Sequence, residues 1–208
     1  MKLRTKILAS LPLMLLLGAC SEQPKPAAKS AETAKPAEPV TALSAVYKMY
    51  TQARSWAPDA KLLRVGSLTI KEVKNAAGKA GAWEATFVSE KEQRARRYTY
   101  SVVESPGANL HEGAFGGSVD SFTSSRQFKP FMIQAFKTDS TAAYETALKN
   151  KGADYAAKHP DVSVLFLLEQ TPRFPDPAWR VVWGDSVSTS GFSVFVDASS
   201  GEFLQTSK

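Results

Sequence analysis

The spacing of hydrophobic positions changes several times along this chain, and each change predicts an element. From Leu43 the apolar residues Leu43, Val46, Tyr47 and Tyr50 fall at i, i+3, i+4 and i+7, one stripe of a helix. Pro58 disfavours α geometry at Ala57, so the helix is expected to stop there. Leu62 to Ile70 reads as a strand and Lys71 to Gly81 as a polar connector. Trp83, Ala85 and Phe87 then alternate with Glu84 and Thr86, the period of two of a strand with one buried face. Tyr98, Tyr100 and Val102 repeat that period, Ser105-Pro106-Gly107 supplies a turn, and Leu110 to Phe115 is expected as a further strand.

The same order comes round again. A helix capped by Asp139 or Ser140, with the stripe Tyr144, Ala147, Leu148 and Tyr155, is expected to end at His159-Pro160, as the first ends at Ala57-Pro58. Val162 to Leu168 matches Leu62 to Ile70, and Ala178-Trp179 matches Ala82-Trp83. Phe192, Val194 and Val196 stand where Tyr98, Tyr100 and Val102 stood, and Asp197 to Gly201 turns into a closing strand over Glu202 to Gln205. The pattern predicts an α+β fold, a tandem repeat of two units, each a helix packed on an antiparallel sheet of about four strands. The first unit spans 42–115 and the second 139–208, with a connector at 116–138 whose Phe122, Phe128, Phe131 and Phe136 are expected to pack as core between them. A binding groove is the alternative for those aromatics.

The N-terminus has a different character. Lys2, Arg4 and Lys6 precede an apolar run from Ile7 to Leu17, and Leu17-Gly18-Ala19-Cys20 follows. A basic start, an apolar stretch and small residues before a cut make residues 1–19 a secretory signal peptide. The Cys at the cut closely resembles the lipobox of bacterial lipoproteins, which implies that Cys20 is acylated and becomes the mature N-terminus. Ser21 after it resembles the outer-membrane default, so the expected location is the outer membrane, facing the periplasm. Residues 21–41 hold four Pro, five Ala, three Lys and three Glu and no aromatic, the composition of an extended tether. Such a tether reaches ~65 Å at about 3.1 Å per residue. Cys20 is the single cysteine, so no intramolecular disulfide can form.

The run Val194-Phe195-Val196-Asp197-Ala198-Ser199-Ser200-Gly201-Glu202-Phe203-Leu204 resembles the signature of PepSY-type domains, a strand, an Asp-Ala-x-Thr-Gly turn and a final strand. Ser200 stands where that signature has Thr. The resemblance covers 140–205 directly and 43–115 through the internal repeat. It implies a helix-on-sheet fold related to the PepSY and cystatin-like type, and a role in binding or restraining other proteins.

Composition narrows the function classes. The formal charge of +6 falls to +3 once Lys2, Arg4 and Lys6 leave with the signal peptide, too mild for a nucleic-acid partner. His111 and His159 are the only histidines and lie far apart in sequence, so neither a metal site nor a cofactor is expected. Gly184-Asp185-Ser186 is similar to a serine-protease fragment, but Val187 follows in place of Gly, and Asp185 to Gly191 reads as a hairpin connection between two strands, so no catalysis is expected there. Gly113 to Ser118 is glycine-rich yet lacks the Lys of a phosphate loop. Lys91, Arg94, Arg96 and Arg97 are the sharper candidate: a cationic hairpin tip able to touch an anionic surface, with Glu90 and Glu92 as local partners otherwise. The expectation is a monomeric, non-catalytic binding or inhibitory lipoprotein, held to the membrane through Cys20, with a protein or peptide partner. An envelope hydrolase, or an accessory to one, is the alternative.

Overall fold

Helix α1 (Ala42–Trp56) begins where Thr41 accepts the Ser44 N–H on its hydroxyl, and it ends at Ala57, which is extended (φ −143°, ψ 115°) ahead of Pro58. The computed structural model describes residues 36–207 of the chain, and Cys20 therefore lies outside the described residues. The buried stripe of α1 is Ala42, Ala45, Val46, Met49 and Ala53, whereas Tyr47 is half exposed. Val46 keeps its place in the stripe, Leu43 and Tyr50 pack at its flanks with Tyr50 stacked on Phe87, and the small alanines between them let the helix axis lie close to the sheet.

The strands are β1 (Val40–Thr41), β2 (Lys61–Leu68), β3 (Lys79–Ala80), β4 (Ala82–Ser89), β5 (Arg94–Ser101), β6 (Gly113–Ser121), β7 (Val164–Glu169), β8 (Ala178–Trp183), β9 (Phe192–Asp197) and β10 (Phe203–Ser207). β1 pairs only with β3, so the end of the expected tether belongs to the fold. The other strands form one antiparallel 8-stranded sheet in the order β10-β9-β8-β7-β2-β4-β5-β6. The two halves follow one order of elements, yet they do not make two sheets. β2 and β7 join them through Arg64–Glu169, Val65–Leu168 and Gly66–Leu167, and a single apolar core runs beneath both.

Two further boundaries differ from expectation. The strand foreseen at Leu110 to Phe115 lies at Gly113–Ser121, so the glycine-rich stretch is an edge strand and the first residues of the expected connector belong to it. Later in the connector Phe131, Ile133 and Phe136 are core, and Phe122 and Phe128 are half-buried. The second helix is broken. α2 (Ser140–Ala147) and α3 (Ala153–Lys158) flank a wide turn in which Lys151 adopts a left-handed φ of 71°.

All helices pack on one face of the sheet, against Trp83, Ala85, Phe87, Tyr98, Trp179, Val181, Trp183 and Val194. Each half anchors its helix with an indole. Trp83 Nε1 donates to the Val40 carbonyl at 3.0 Å, one residue before the Thr41 cap, and Trp179 Nε1 donates to the Thr138 carbonyl at 2.8 Å, one residue before the Asp139 cap. The start of the second helix also serves the first. The Ala42 N–H donates to Ser140 Oγ and the Leu43 N–H to Asp139 Oδ1, both at 3.0 Å, so the second helix cap serves orphan donors of the first.

Candidate functional site

Strand alternation places a second set of side chains on the face that carries no helix. In the first half these are Arg64, Glu84, Arg97 and Thr99, with Phe115 opposite Thr99 on the edge strand. Phe115 is 47 % exposed. Arg97 Nε lies 3.5 Å from Glu84 and Arg64 Nε 3.8 Å from Glu169, and the side chains of Arg97 and Arg64 are 66% and 51% exposed. In the second half the same face is overlaid by its own loops. Arg173 sits 4.4 Å over the Phe195 ring, Arg180 5.6 Å over it, and Phe174 packs beside it at 5.4 Å. Glu169 is held among these groups. Burial pushes its carboxyl above the usual range, while the guanidinium groups of Arg64 and Arg180 pull the other way. Burial likewise lowers Arg180.

The basic cluster is dispersed by the pleat. The turn is Glu90 to Gln93, and only Lys91 lies in it. Arg94 pairs with Glu92. Arg96 reaches over the edge strand to the carbonyl of Gly117 at 2.9 Å and lies 5.3 Å from the Tyr98 ring, on the helix side. Arg97 points to the opposite face. Successive strand residues face opposite ways, so these cations do not converge on one tip.

The other sequence candidates take modest positions. His111 is exposed beside Glu104 at 3.2 Å, and His159 stacks on Tyr155 with ring centroids 4.3 Å apart. Ser186 Oγ lies 3.0 Å from the Ser188 hydroxyl and 2.7 Å from that of Thr189, within the β8–β9 loop. Among the described residues no group of three or more His, Cys, Asp or Glu side chains is arranged to hold a metal ion, and no helix is long and apolar enough to cross a membrane.

Asp197, in the turn that carries the PepSY resemblance, is a structural carboxylate. Burial opposes its ionisation, but the Ser199 hydroxyl at 2.6 Å and the N–H groups of Ser200 and Ser199, at 2.9 and 2.7 Å, outweigh that and hold it below the usual range. A depressed folded value stabilises above the unfolded range near pH ~4 and loses that contribution as pH falls through the folded value. Asp197→Asn is therefore expected to cost about 1 kcal/mol at pH 6, with the gap to wild type narrowing towards pH 3 in urea unfolding. A gap that is independent of pH contradicts the assignment.

A cleft of ≈ 510 Å³ opens at the centre of the sheet's end, where β2 and β7 diverge. Its walls are the loop after β2, with Lys71 and Lys74, and the segment before β7, with Asp161 and Ser163; Tyr144 and Phe166 are apolar lining. Sequence reasoning missed this cleft and the open-face Arg64 and Arg180, and it singled out Arg97 only as part of a hairpin tip. Arg64 and Arg180 occupy the off-phase positions of strands noticed only for their apolar phase, and the cleft arises from two strands that are remote in sequence.

No family model matches the chain, and no curated protein does. A solved structure from Clostridium difficile 630, of a protein described as a lipoprotein, is similar to it at a TM-score of 0.44 and 11% identity, over 83% of this chain and 94% of that one.

Proposed function

We propose that this chain is an envelope lipoprotein, acylated on Cys20 and facing the periplasm, whose folded part binds a protein partner and performs no chemistry. The observation that carries the reading is the helix-free face, which combines an exposed phenylalanine with arginines in loose, solvent-exposed ion pairs. Arginine and aromatic side chains dominate the energetics of protein interfaces. Exposed pairs of this kind contribute little by themselves, so Arg64 and Arg97 can exchange an intramolecular carboxylate for a partner's at small cost. The matched indole anchors of Trp83 and Trp179 support the finer reading of two tandem PepSY-like units, and the lipobox at Cys20 supports the anchor.

Photo-crosslinking of the lipidated protein in its own envelope tests the proposal. A benzophenone side chain at Thr99, on the open face, is expected to give a discrete adduct, and one at Glu145, exposed on α2, to give none. Arg64→Glu with Arg97→Glu is expected to lower the Thr99 yield at least fivefold. Cys20→Ser is expected to leave an uncleaved precursor and abolish the adduct. Equal adducts from both sites, or none from Thr99, would overturn the reading.

A further inference from the structure

The two ends of the β2–β7 seam are built alike but finished differently. Leu62 stands opposite Phe87 in β4, and Val164 stands opposite Trp183 in β8, so these two residues hold corresponding places in the two halves. At the Leu62 end the seam is filled by the chain itself. The Leu62 N–H donates to the Phe131 carbonyl at 2.9 Å and the Phe131 N–H to the Leu62 carbonyl at 2.8 Å, while the Lys129 N–H reaches Gln170 at 3.0 Å. Residues 129–131 thus lie as a short extended insert between β2 and the end of β7, with the Phe131 side chain buried.

At the Val164 end that insert has no counterpart. The Gly184 N–H donates to the Ser163 carbonyl at 2.9 Å, which makes the neighbouring Val164–Trp183 pair the non-hydrogen-bonded kind. The Val164 N–H and C=O consequently point away from β8, towards β2. The β2–β7 ladder has ended by then, at Gly66–Leu167, and the Phe166 N–H is served by Ser67 Oγ rather than by a backbone carbonyl. Among the described residues no strand pairs with Val164 on that side. The cleft of ≈ 510 Å³ lies here, lined by Thr69 and Val164 themselves, and its charged lining residues are Lys71, Lys74 and Asp161. Loop and helix brace it, since a Cβ on Gly78 would fall 2.6 Å from Thr141 Cα.

We infer that this cleft receives an extended peptide segment of an acidic partner, which pairs its backbone with Val164 as residues 129–131 pair with Leu62. The segment places an apolar side chain towards Tyr144 and Phe166, and its carboxylates against Lys71 and Lys74. Backbone pairing supplies the docking and the two lysines against one aspartate supply the preference for acid. The inference deepens the binding-module reading and rests on it only for the existence of a natural partner.

The test uses the full-length lipidated chain in detergent and the synthetic peptide acetyl-Glu-Pro-Phe-Met-Glu-amide, the connector's Pro-Phe-Met flanked by acids. Without peptide, the Val164 amide is expected to exchange with solvent at least tenfold faster than that of Leu62. Saturating peptide is expected to slow Val164 at least tenfold and leave Leu62 unchanged. The same peptide with Lys for Glu should bind at least fivefold more weakly, and Lys71→Glu with Lys74→Glu, both exposed and so tolerated by the fold, should reverse that preference. Unchanged exchange at Val164 with millimolar acidic peptide, or binding indifferent to the charge reversal, overturns the inference. Val164 protection alongside a missing Thr99 adduct would sink the open-face reading and leave the cleft standing; the reverse would sink the cleft alone.

Discussion

Trp83→Ala and Trp179→Ala each lower the unfolding free energy by about 3–5 kcal/mol, and by similar amounts. Both indoles are fully buried, and both carry an N–H that ties the chain just ahead of a helix cap to the sheet. The truncations open a cavity and leave the Val40 or Thr138 carbonyl without its donor, so the loss exceeds that of an apolar deletion alone. Trp→Phe at either position keeps most of the volume and separates the hydrogen bond, about 1 kcal/mol of the total. Urea unfolding of the four variants checks this. Trp179 is also in edge contact with Phe136, ring centroids 5.4 Å apart, so Trp179→Ala should free the end of the connector as well. A Trp83→Ala cost several kcal/mol different from that of Trp179→Ala would mean that the two anchors are not equivalent.

Gly152→Ala is the second large effect, a loss of about 1–3 kcal/mol from overpacking in spite of the higher helix propensity of alanine. A Cβ on Gly152 would lie 2.5 Å from the Ala147 carbonyl oxygen and 2.6 Å from Trp183 Cη2. Neither neighbour is the free end of a flexible side chain, so the helix must lift from the sheet. Lys151→Gly is the opposite case. Its φ of 71° strains a residue with a Cβ, and glycine should stabilise by up to about 1 kcal/mol. Thermal unfolding of the pair, with opposite shifts of Tm, checks whether the break between α2 and α3 is imposed by packing. Two shifts of the same sign would show that helix propensity governs this segment instead.

The break shows where local reasoning stops. Tyr144, Ala147, Leu148 and Tyr155 fit one helical stripe, and nothing between Ser140 and Lys158 except Asn150 and Gly152 hints at an interruption. The break falls at Asn150 and Lys151, next to Gly152, which lies close against the ring of Trp183 about thirty residues away. The pleat has the same effect on the cations: Arg96 and Arg97 are neighbours in sequence, and their strand sends one to the helix side and the other to the open face.

Elements whose signal is local can be read from the chain alone. The helix after Thr41, the alternating strands around Trp83, Tyr98, Trp179 and Val194, and the turn at Asp197 are all legible, since side-chain periodicity and capping act within a few residues. The order in which they recur was legible as well. Which strands meet is settled by packing across the whole fold. Pairing is made by backbone groups that are the same at every position, and the choice of β2 against β7 depends on where two remote strands are carried by the core beneath them. From that choice follow the single sheet in place of two, the open face with its arginines, and a seam closed by residues 129–131 at one end and left as a cleft at the other.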